Sequence, residues 1–507
     1  LAKQPKNRFV LNLKLNTELY QEHILDKRFE IGRKIYNALL GKSLNRYNEM
    51  VKTKRWRNNQ NELSKIYKSH NVDKKQLDKL CKSYYDIKND MLKEFRLNEY
   101  SLHEDVKPMY HIFKKNIDSF TAQKIASRVW TALNDNLFGK GEAVHFKGRN
   151  DPLKSLEGKW NRSGIKYNIE TRTVIWNRLV IPVKLDIRNQ YEVDCLRSNI
   201  CFCRIKRKFI RGKYKYILQL ILDGIPPIKF NKNTGEIKNA LGDGTCGIDI
   251  GTQTVAYVSD LNAKLLELAP RVQNIEDEKR KIQRYMDRSK RTNNPQNFNE
   301  NGTFKKGIKL KWNFSKKYIK AKNALKDLYR KQADIREQDH NIMTNEILNN
   351  CDTALVENMN FKALQKRSKN TTKNKDGKIN SKKRFGKSLA NKAPAKFLTI
   401  LNNKLKARGG TYLEINTRKV KASQYNHLNG KYNKKKLSQR WNYFEYNNEQ
   451  IKVQRDIYSA YLIKNVNNDL RSVNDEQCIN DFDVFLEMHD KEVSRLQGLN
   501  NLSSMGI

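Results

Sequence analysis

Asp249 stands inside the apolar run Thr245-Cys246-Gly247-Ile248-Asp249-Ile250-Gly251-Thr252, which reads as a buried strand. A carboxylate in such a strand costs free energy unless something compensates it. The simplest compensation for several such groups is a divalent cation, which takes hard oxygen ligands. Two further acids have a similar setting. Glu357 ends the apolar run Thr353-Ala354-Leu355-Val356, and Asp456 opens Arg455-Asp456-Ile457-Tyr458-Ser459-Ala460-Tyr461-Leu462-Ile463, which reads as the first turns of a helix. Three converging carboxylates can hold two Mg²⁺ ions about 3.5–4 Å apart, with Mn²⁺ the alternative. One ion then activates a water and the other stabilises the leaving 3′ oxygen of a phosphodiester. No histidine base is needed, and none of the 8 His falls in these runs; His340, in the helix before Glu357, reads as structural. Singly, each acid has an ordinary reading: a strand-end Asp beside Gly is common, and Glu357-Asn358 also suits a helix N-terminus.

The elements that must position the acids follow from the flanking pattern. Strands are expected at 254–260, 263–268 and 411–416. Pro394 opens a helix with Phe397, Leu398, Leu401 and Leu405 inward, and Gly409-Gly410 ends it. Asp249 and Glu357 would then lie on neighbouring strands, with the helix of Asp456 packed across them. Long charged helices at 273–292 and 312–350, joined by a polar loop, form an insertion. Aromatic and basic residues interleave there (Arg284, Tyr285, Lys311, Trp312, Lys317, Tyr318), which suits nucleic acid and an ordinary coiled pair equally. The basic tract 366–387, with Lys382, Lys383 and Arg384, reads either as a lid over a nucleic-acid backbone or as a solvated loop. Residues 419–454 look polar, basic and irregular. The acidic tail after Asn465 reads as helical packing.

The first half has a different texture. Residues 9–15 alternate as a strand, 25–100 are helical, and 119–134 form an amphipathic helix with Ser119 as the expected N-cap. From 142 to 230 the pattern is β, with one strand run at 173–183 and a hairpin joining 200–209 to 214–222. That hairpin carries Arg204, Lys206, Arg207, Lys208, Arg211 and Lys213. Alternation would turn its apolar side chains inward and its cations outward, as a phosphate-facing surface or as a solvated face. The polar, glycine-containing stretch 231–244 reads as a linker.

Lys and Arg number 101 against 54 Asp and Glu, a formal net charge of +47 over 507 residues. That excess implies a polyanionic partner, most simply nucleic acid. A membrane partner is not expected, because no run of about 18 apolar residues is present. The 7 cysteines form no CxxC pair and read as buried reduced thiols, which suits a cytoplasmic, nucleoid-associated protein.

Gly247-Ile248-Asp249-Ile250-Gly251, Val356-Glu357-Asn358-Met359-Asn360 and Arg455-Asp456-Ile457-Tyr458-Ser459-Ala460 together resemble the split RuvC nuclease motifs of transposon-encoded TnpB proteins and of the compact type V CRISPR effectors. The resemblance extends to the N-terminal β unit with its helical insertion, the helical pair before Glu357, and 404–415. It implies a multidomain α+β protein. A β-barrel-like, wedge-like domain would comprise 1–25 and 135–230, interrupted by a helical recognition domain at 26–134. An RNase H-like α/β RuvC domain at 245–418 and 455–507 would follow, with 419–454 as a target-binding insertion. It also implies an RNA-guided DNA endonuclease with Asp249, Glu357 and Asp456 as catalytic, Mg²⁺-binding residues. Its partners would be a transposon-derived or CRISPR guide RNA and double-stranded target DNA, with monomer and homodimer both open. The alternatives are an RNA-guided DNA-binding regulator that does not cut, and an unguided packaging protein. Two departures stand out. Asn426, Asn429, Tyr446 and Glu449 occupy the places of the family's four zinc-binding cysteines, so no structural zinc is expected. Ser459 replaces the usual Asn after the third acid.

Overall fold

The computed structural model describes residues 7–68, 74–138, 141, 143–149, 151–368, 370–372, 374, 377, 385–436, 439–499 and 505. The chain is α+β and forms two compact units, Leu1–Pro227 and Ile228–Ile507.

The first unit begins with strand β1 (Arg8–Leu15), whose alternate residues Phe9, Leu11, Leu13 and Leu15 are buried. Five helices follow: α1 (Leu19–Lys52), α2 (Lys54–Lys68), α3 (Lys74–Glu94), α4 (Glu99–Phe113) and α5 (Ser119–Leu137). Strands β2 (Ser155–Glu157), β3 (Ile165–Asn168), β4 (Thr173–Trp176) and β5 (Leu179–Lys184) come next, then the short α6 (Gln190–Cys195) and the long hairpin β6 (Ile200–Ile210) and β7 (Lys213–Asp223). The seven strands form one antiparallel half-barrel sheet, ordered β2-β6-β7-β1-β5-β4-β3. Asn161 ties β3 back towards β6. Its Oδ1 accepts from Tyr167 N at 2.7 Å and from Cys203 Sγ at 3.2 Å.

Two expectations are corrected in this unit. Asp118, not Ser119, caps α5: its Oδ1 accepts from Thr121 N at 2.9 Å, and its Oδ2 accepts from Trp176 Nε1 at 2.8 Å. The run 173–183 is two strands, because Asn177 takes a left-handed φ of 50° and turns the chain back.

The second unit carries a mixed sheet of β8 (Thr245–Ile250), β9 (Thr254–Val258), β10 (Ala263–Glu267), β11 (Thr353–Glu357) and β12 (Thr411–Ile415), ordered β10-β9-β8-β11-β12. The first three are antiparallel, whereas β11 runs parallel to both β8 and β12. Parallel neighbours need long crossovers. Here α7 (Gln273–Thr292) and α8 (Lys316–Leu348) precede β11, and α9 (Phe361–Leu364), α10 (Gly386–Lys392) and α11 (Pro394–Arg408) precede β12. Gly409, at φ 82°, ends α11 as a left-handed C-cap.

Strand alternation sorts the two faces of this sheet. Cys246, Ile248 and Ile250 point into a core with Ile347, Leu348, Phe397, Leu401 and Leu405 of α8 and α11. Ala256, Val258, Leu265 and Leu355 point the other way, onto α13 (Arg455–Lys464). Between β12 and α13 lie α12 (Thr417–Val420) and two hairpins, β13 (Tyr425–Asn426) with β14 (Lys431–Tyr432) and β15 (Trp441–Tyr446) with β16 (Glu449–Gln454). Residues 419–454 are therefore not irregular. Phe444, His427, Tyr458, Tyr461 and Phe482 form a ring cluster beneath the hairpins, and Tyr425 OH donates to Asp475 at 2.8 Å. At the zinc-like positions, Asn426 and Asn429 accept from the amides of Leu428 and Lys431, each at 3.0 Å, and Tyr446 OH donates to Asp483 at 2.9 Å.

Helices α14 (Asp475–Asn480) and α15 (Phe482–Gln497) complete the unit. Glu492 of α15 is buried and accepts from Leu265 N at 2.9 Å, satisfying an amide of edge strand β10. Arg495 and Lys264 neutralise that carboxylate. Among the described residues, no helix is long and apolar enough to cross a membrane.

Candidate active site

Parallel pairing of β8 with β11 sets Ala354 against Cys246, Leu355 against Gly247 and Val356 against Ile248. One step further along this register, Glu357 stands level with Asp249, one strand spacing (about 4.8 Å) away and on the same face of the sheet. That face is the one α13 covers. Gly247, two residues before Asp249, lies directly beneath α13. A Cβ there would fall 2.2 Å from both the Ala460 carbonyl oxygen and the Lys464 nitrogen. Only glycine lets the helix lie so close, and this closeness carries Asp456, in the first turn of α13, towards the ends of β8 and β11.

The charges report the same convergence. The Asp249 carboxyl is held well above the ordinary carboxylate range, first by burial and then by repulsion from Glu357 and Asp456; Arg455 works against this. Burial pushes Glu357 up to about 7. Both residues keep a partly accessible edge. Among the described residues neither carboxylate takes a hydrogen bond or an ion pair. Asp456 is different: Arg455 Nη2 lies 2.8 Å and Arg440 Nη1 3.5 Å from its carboxylate. Its own amide and that of Ile457 donate to Gln454 Oε1 at 2.6 and 2.9 Å, so Gln454 is the N-cap of α13.

No family model matches the chain, and no curated protein matches it. Solved structures do resemble it. A cryo-EM structure of a Cas12f1–sgRNA–target DNA complex is similar over 91% of this chain and 99% of its own, at 12% identity and a TM-score of 0.41. A cryo-EM structure of a CRISPR–Cas12f ternary complex is similar over 90% of this chain and 99% of its own, at 14% identity and a TM-score of 0.26.

The donor set fits a hard divalent cation. Asp249 and Glu357 offer neighbouring carboxylate oxygens with no ion-pair partner among the described residues, and that is the charge a cation would offset. Asp456 could join them from α13. In the arrangement described, however, Asp456 is engaged by arginine, and among the described residues no three His, Cys, Asp or Glu side chains stand in ready metal-binding positions. Beyond Glu357 the chain is pinned: Asn358 N donates to Thr417 Oγ1 at 3.0 Å, and Asn358 Nδ2 to Glu414 Oε2 at 2.9 Å. A cleft of about 630 Å³ opens there, lined by Asn358, Asn360, Glu414, Thr417, Arg418 and Arg471. The ends of parallel strands are where open α/β sheets bind ligands.

The basic residues expected to meet phosphate divide. In the first unit, β6 and β7 turn through Arg211 (φ 47°) and Gly212 (φ 85°), a two-residue loop with both residues left-handed. Lys206, Arg211 and Lys213 are exposed. Lys208 is half-buried. Arg204 is half-buried and pairs with Glu157 at 2.8 Å. Arg207 was expected to point outward and does not. It is 8% exposed, donates to Leu153 O at 3.0 Å, and spreads its guanidinium over Phe29 and Tyr214. It occupies an inward slot of the alternation beside Cys203 and Ile205. Lys382, Lys383 and Arg384 lie outside the described residues.

Arg455, Arg440, Gln454 and His489 were not singled out from sequence. His489 Nε2 accepts from Gln454 N at 2.9 Å, and its Nδ1 lies 2.8 Å from Asp490. His340 is fully buried, packs its ring edge-on to Phe397 and is pushed down to about 4 by burial, as suits a core residue.

Proposed function

We propose that the chain is an RNA-guided DNA endonuclease whose RNase H-like second unit cuts phosphodiesters at Asp249, Glu357 and Asp456. The observation that carries this reading is the level placement of Asp249 and Glu357 on adjacent parallel strands, without a side-chain partner among the described residues, with Asp456 directed at them from α13. Two Mg²⁺ ions bound there would supply Lewis-acid stabilisation of a cleaved phosphodiester. The protein's own contribution is positional: a rigid sheet holds two ligands, and a capped helix holds the third. Arg455 and Arg440 hold the Asp456 carboxylate in place. The +47 charge supplies affinity for guide and target backbones, with the exposed cations of the β6–β7 hairpin as one contact surface. In this reading 1–25 with 135–230 is the wedge-like domain, 26–134 the recognition domain and 419–454 a target-binding insertion held by aromatic packing rather than zinc.

One observation favours a second reading. Asp456 is engaged by two arginines, and no three acids are gathered as a ready metal site among the described residues. An RNA-guided DNA-binding regulator would need no more than that. The test is to purify the protein from its native locus, sequence the nucleic acid that copurifies, and offer the complex matched DNA with Mg²⁺ or EDTA. A discrete RNA with Mg²⁺-dependent cutting establishes the nuclease. A discrete RNA with binding and no cutting establishes the regulator. A heterogeneous smear removed by salt overturns both.

A further inference from the structure

The loop between α7 and α8 carries four aromatic residues that, with Tyr318 in the first turn of α8, form a small cluster that the nuclease site does not use. Phe314 stacks on Tyr318 with centroids 4.4 Å apart and planes at 12°. Trp312 lies nearly parallel to Phe314, at 7° and 6.4 Å. Phe298 and Phe304 set their edges against Trp312, and Lys290 lies 4.0 Å above the Trp312 ring.

The cluster is held rather than loose. Asn294, fully buried, donates to Asn313 O at 2.8 Å and accepts from Asn313 N at 2.6 Å. Asn297, 4% exposed, donates to Lys311 O at 2.5 Å. Ser315 caps α8 by accepting from Tyr318 N at 3.1 Å. Two buried amide clamps and a helix cap therefore fix the backbone on either side of Trp312 and Phe314. Two of the rings are nonetheless presented to solvent: Phe304 is 43% and Phe314 37% exposed, Trp312 is half-buried, and Tyr318, at 9%, is buried and stacks on Phe314 from within. Eight lysines occur between residues 305 and 322, with no acid from Lys305 to Lys322. A protein partner for an apolar patch would not ask for that charge, whereas a polyanion with flat apolar bases does. Aromatic rings flanked by cations are the recurring platform for unpaired bases.

We propose that Trp312 and Phe314, with Tyr318 stacked against Phe314 as its support, form a stacking site for an unpaired RNA base, with the adjoining lysines following the RNA backbone. The choice of RNA rests on the guided-nuclease reading, since unpaired loops are a standing feature of folded RNA, while the DNA partner is a duplex until opened.

The test uses the full-length protein without Mg²⁺ and a short oligouridylate bearing 5-iodouridine. Photocrosslinks should map to Trp312 or Phe314. Phe314→Ala should weaken binding roughly tenfold, leave the slope of affinity against salt unchanged because no phosphate contact is lost, and be restored by Phe314→Tyr. The doubly substituted Lys316→Ala/Lys317→Ala protein should instead reduce that slope. No crosslink within 312–318, wild-type affinity in Phe314→Ala, or tighter binding and crosslinking of oligodeoxythymidylate at these rings would each overturn the proposal. The readout needs neither guide nor cleavage, so failure of the nuclease reading would leave its outcome distinct.

Discussion

Gly247 and Ala460 meet backbone to backbone: a Cβ on Gly247 would lie 2.2 Å from the Ala460 carbonyl oxygen. This contact fixes the distance between β8 and α13, and so between the strand of Asp249 and the helix of Asp456. Gly247→Ala must push α13 away, because both obstructing atoms are backbone. We expect a loss of at least about 3 kcal/mol in urea unfolding and loss of Mg²⁺-dependent cutting. Unchanged stability would mean that α13 does not rest on Gly247.

Asp249 and Glu357 give the metal-free protein a characteristic pH response. Their folded pKa values are raised, so the unfolded chain gives up these protons first as pH rises. Their contribution to stability is present below the unfolded carboxyl range near 4 and is lost as pH rises through about 7 for Glu357. Asp249→Asn removes the repulsion. It should raise the melting temperature at pH 8 by about 2–4 °C, the shift that roughly 1 kcal/mol gives in a unit of this size, while abolishing cleavage and sparing RNA binding. Mg²⁺ should stabilise the wild type at pH 8 and the Asp249→Asn protein much less. Equal Mg²⁺ stabilisation of both would remove Asp249 from the proposed metal site.

Gln454 is the link between the C-terminal helix and the third acid. It caps α13 with its side chain while its own amide donates to His489. Gln454→Ala should cost about 1 kcal/mol, as other N-cap losses do, and slow single-turnover cleavage more than it weakens DNA binding. His489→Leu should behave alike, and His489→Gln, which retains an acceptor, should recover part of the rate. Equal cleavage by all three would make the chain of contacts purely structural.

Local pattern made much of this legible. The strand of Asp249, the strand ending at Glu357 and the helix from Pro394 to Gly409 follow from alternation, a helix-opening proline and a left-handed glycine. The paired hairpins at 425–454 were missed although a turn signal was present: Asn447 and Asn448 join Tyr446 to Glu449 with φ of 51° and 65°. The lysines at 431–436 and the inverted alternation of β15, with Asn442 buried and Tyr443 exposed, masked the pattern. Arg207 was misplaced because sequence cannot show that Phe29 and Tyr214 build an aromatic seat for a guanidinium. Gln454 and His489 are 35 residues apart in sequence, and nothing in either neighbourhood announces the other.

Two buried histidines predict an acid limb to stability. Burial pushes both His340 and His427 down to about 4, against about 6.5 in an unfolded chain. The unfolded state therefore binds these protons first as pH falls. The stability they carry is complete above about 6.5 and is lost as pH drops towards 4. This runs opposite in sign to the carboxylate effect over part of the same range, so the comparison must be made between variants. His340 has no partner for either ring nitrogen among the described residues and packs against Phe397, which makes it the cleaner choice. His340→Leu should keep or raise stability at neutral pH and flatten the acid limb by up to about 3 kcal/mol between pH 7 and 4. Urea unfolding across that range decides it: parallel curves for the two proteins would mean that His340 titrates normally and is not sealed in the core.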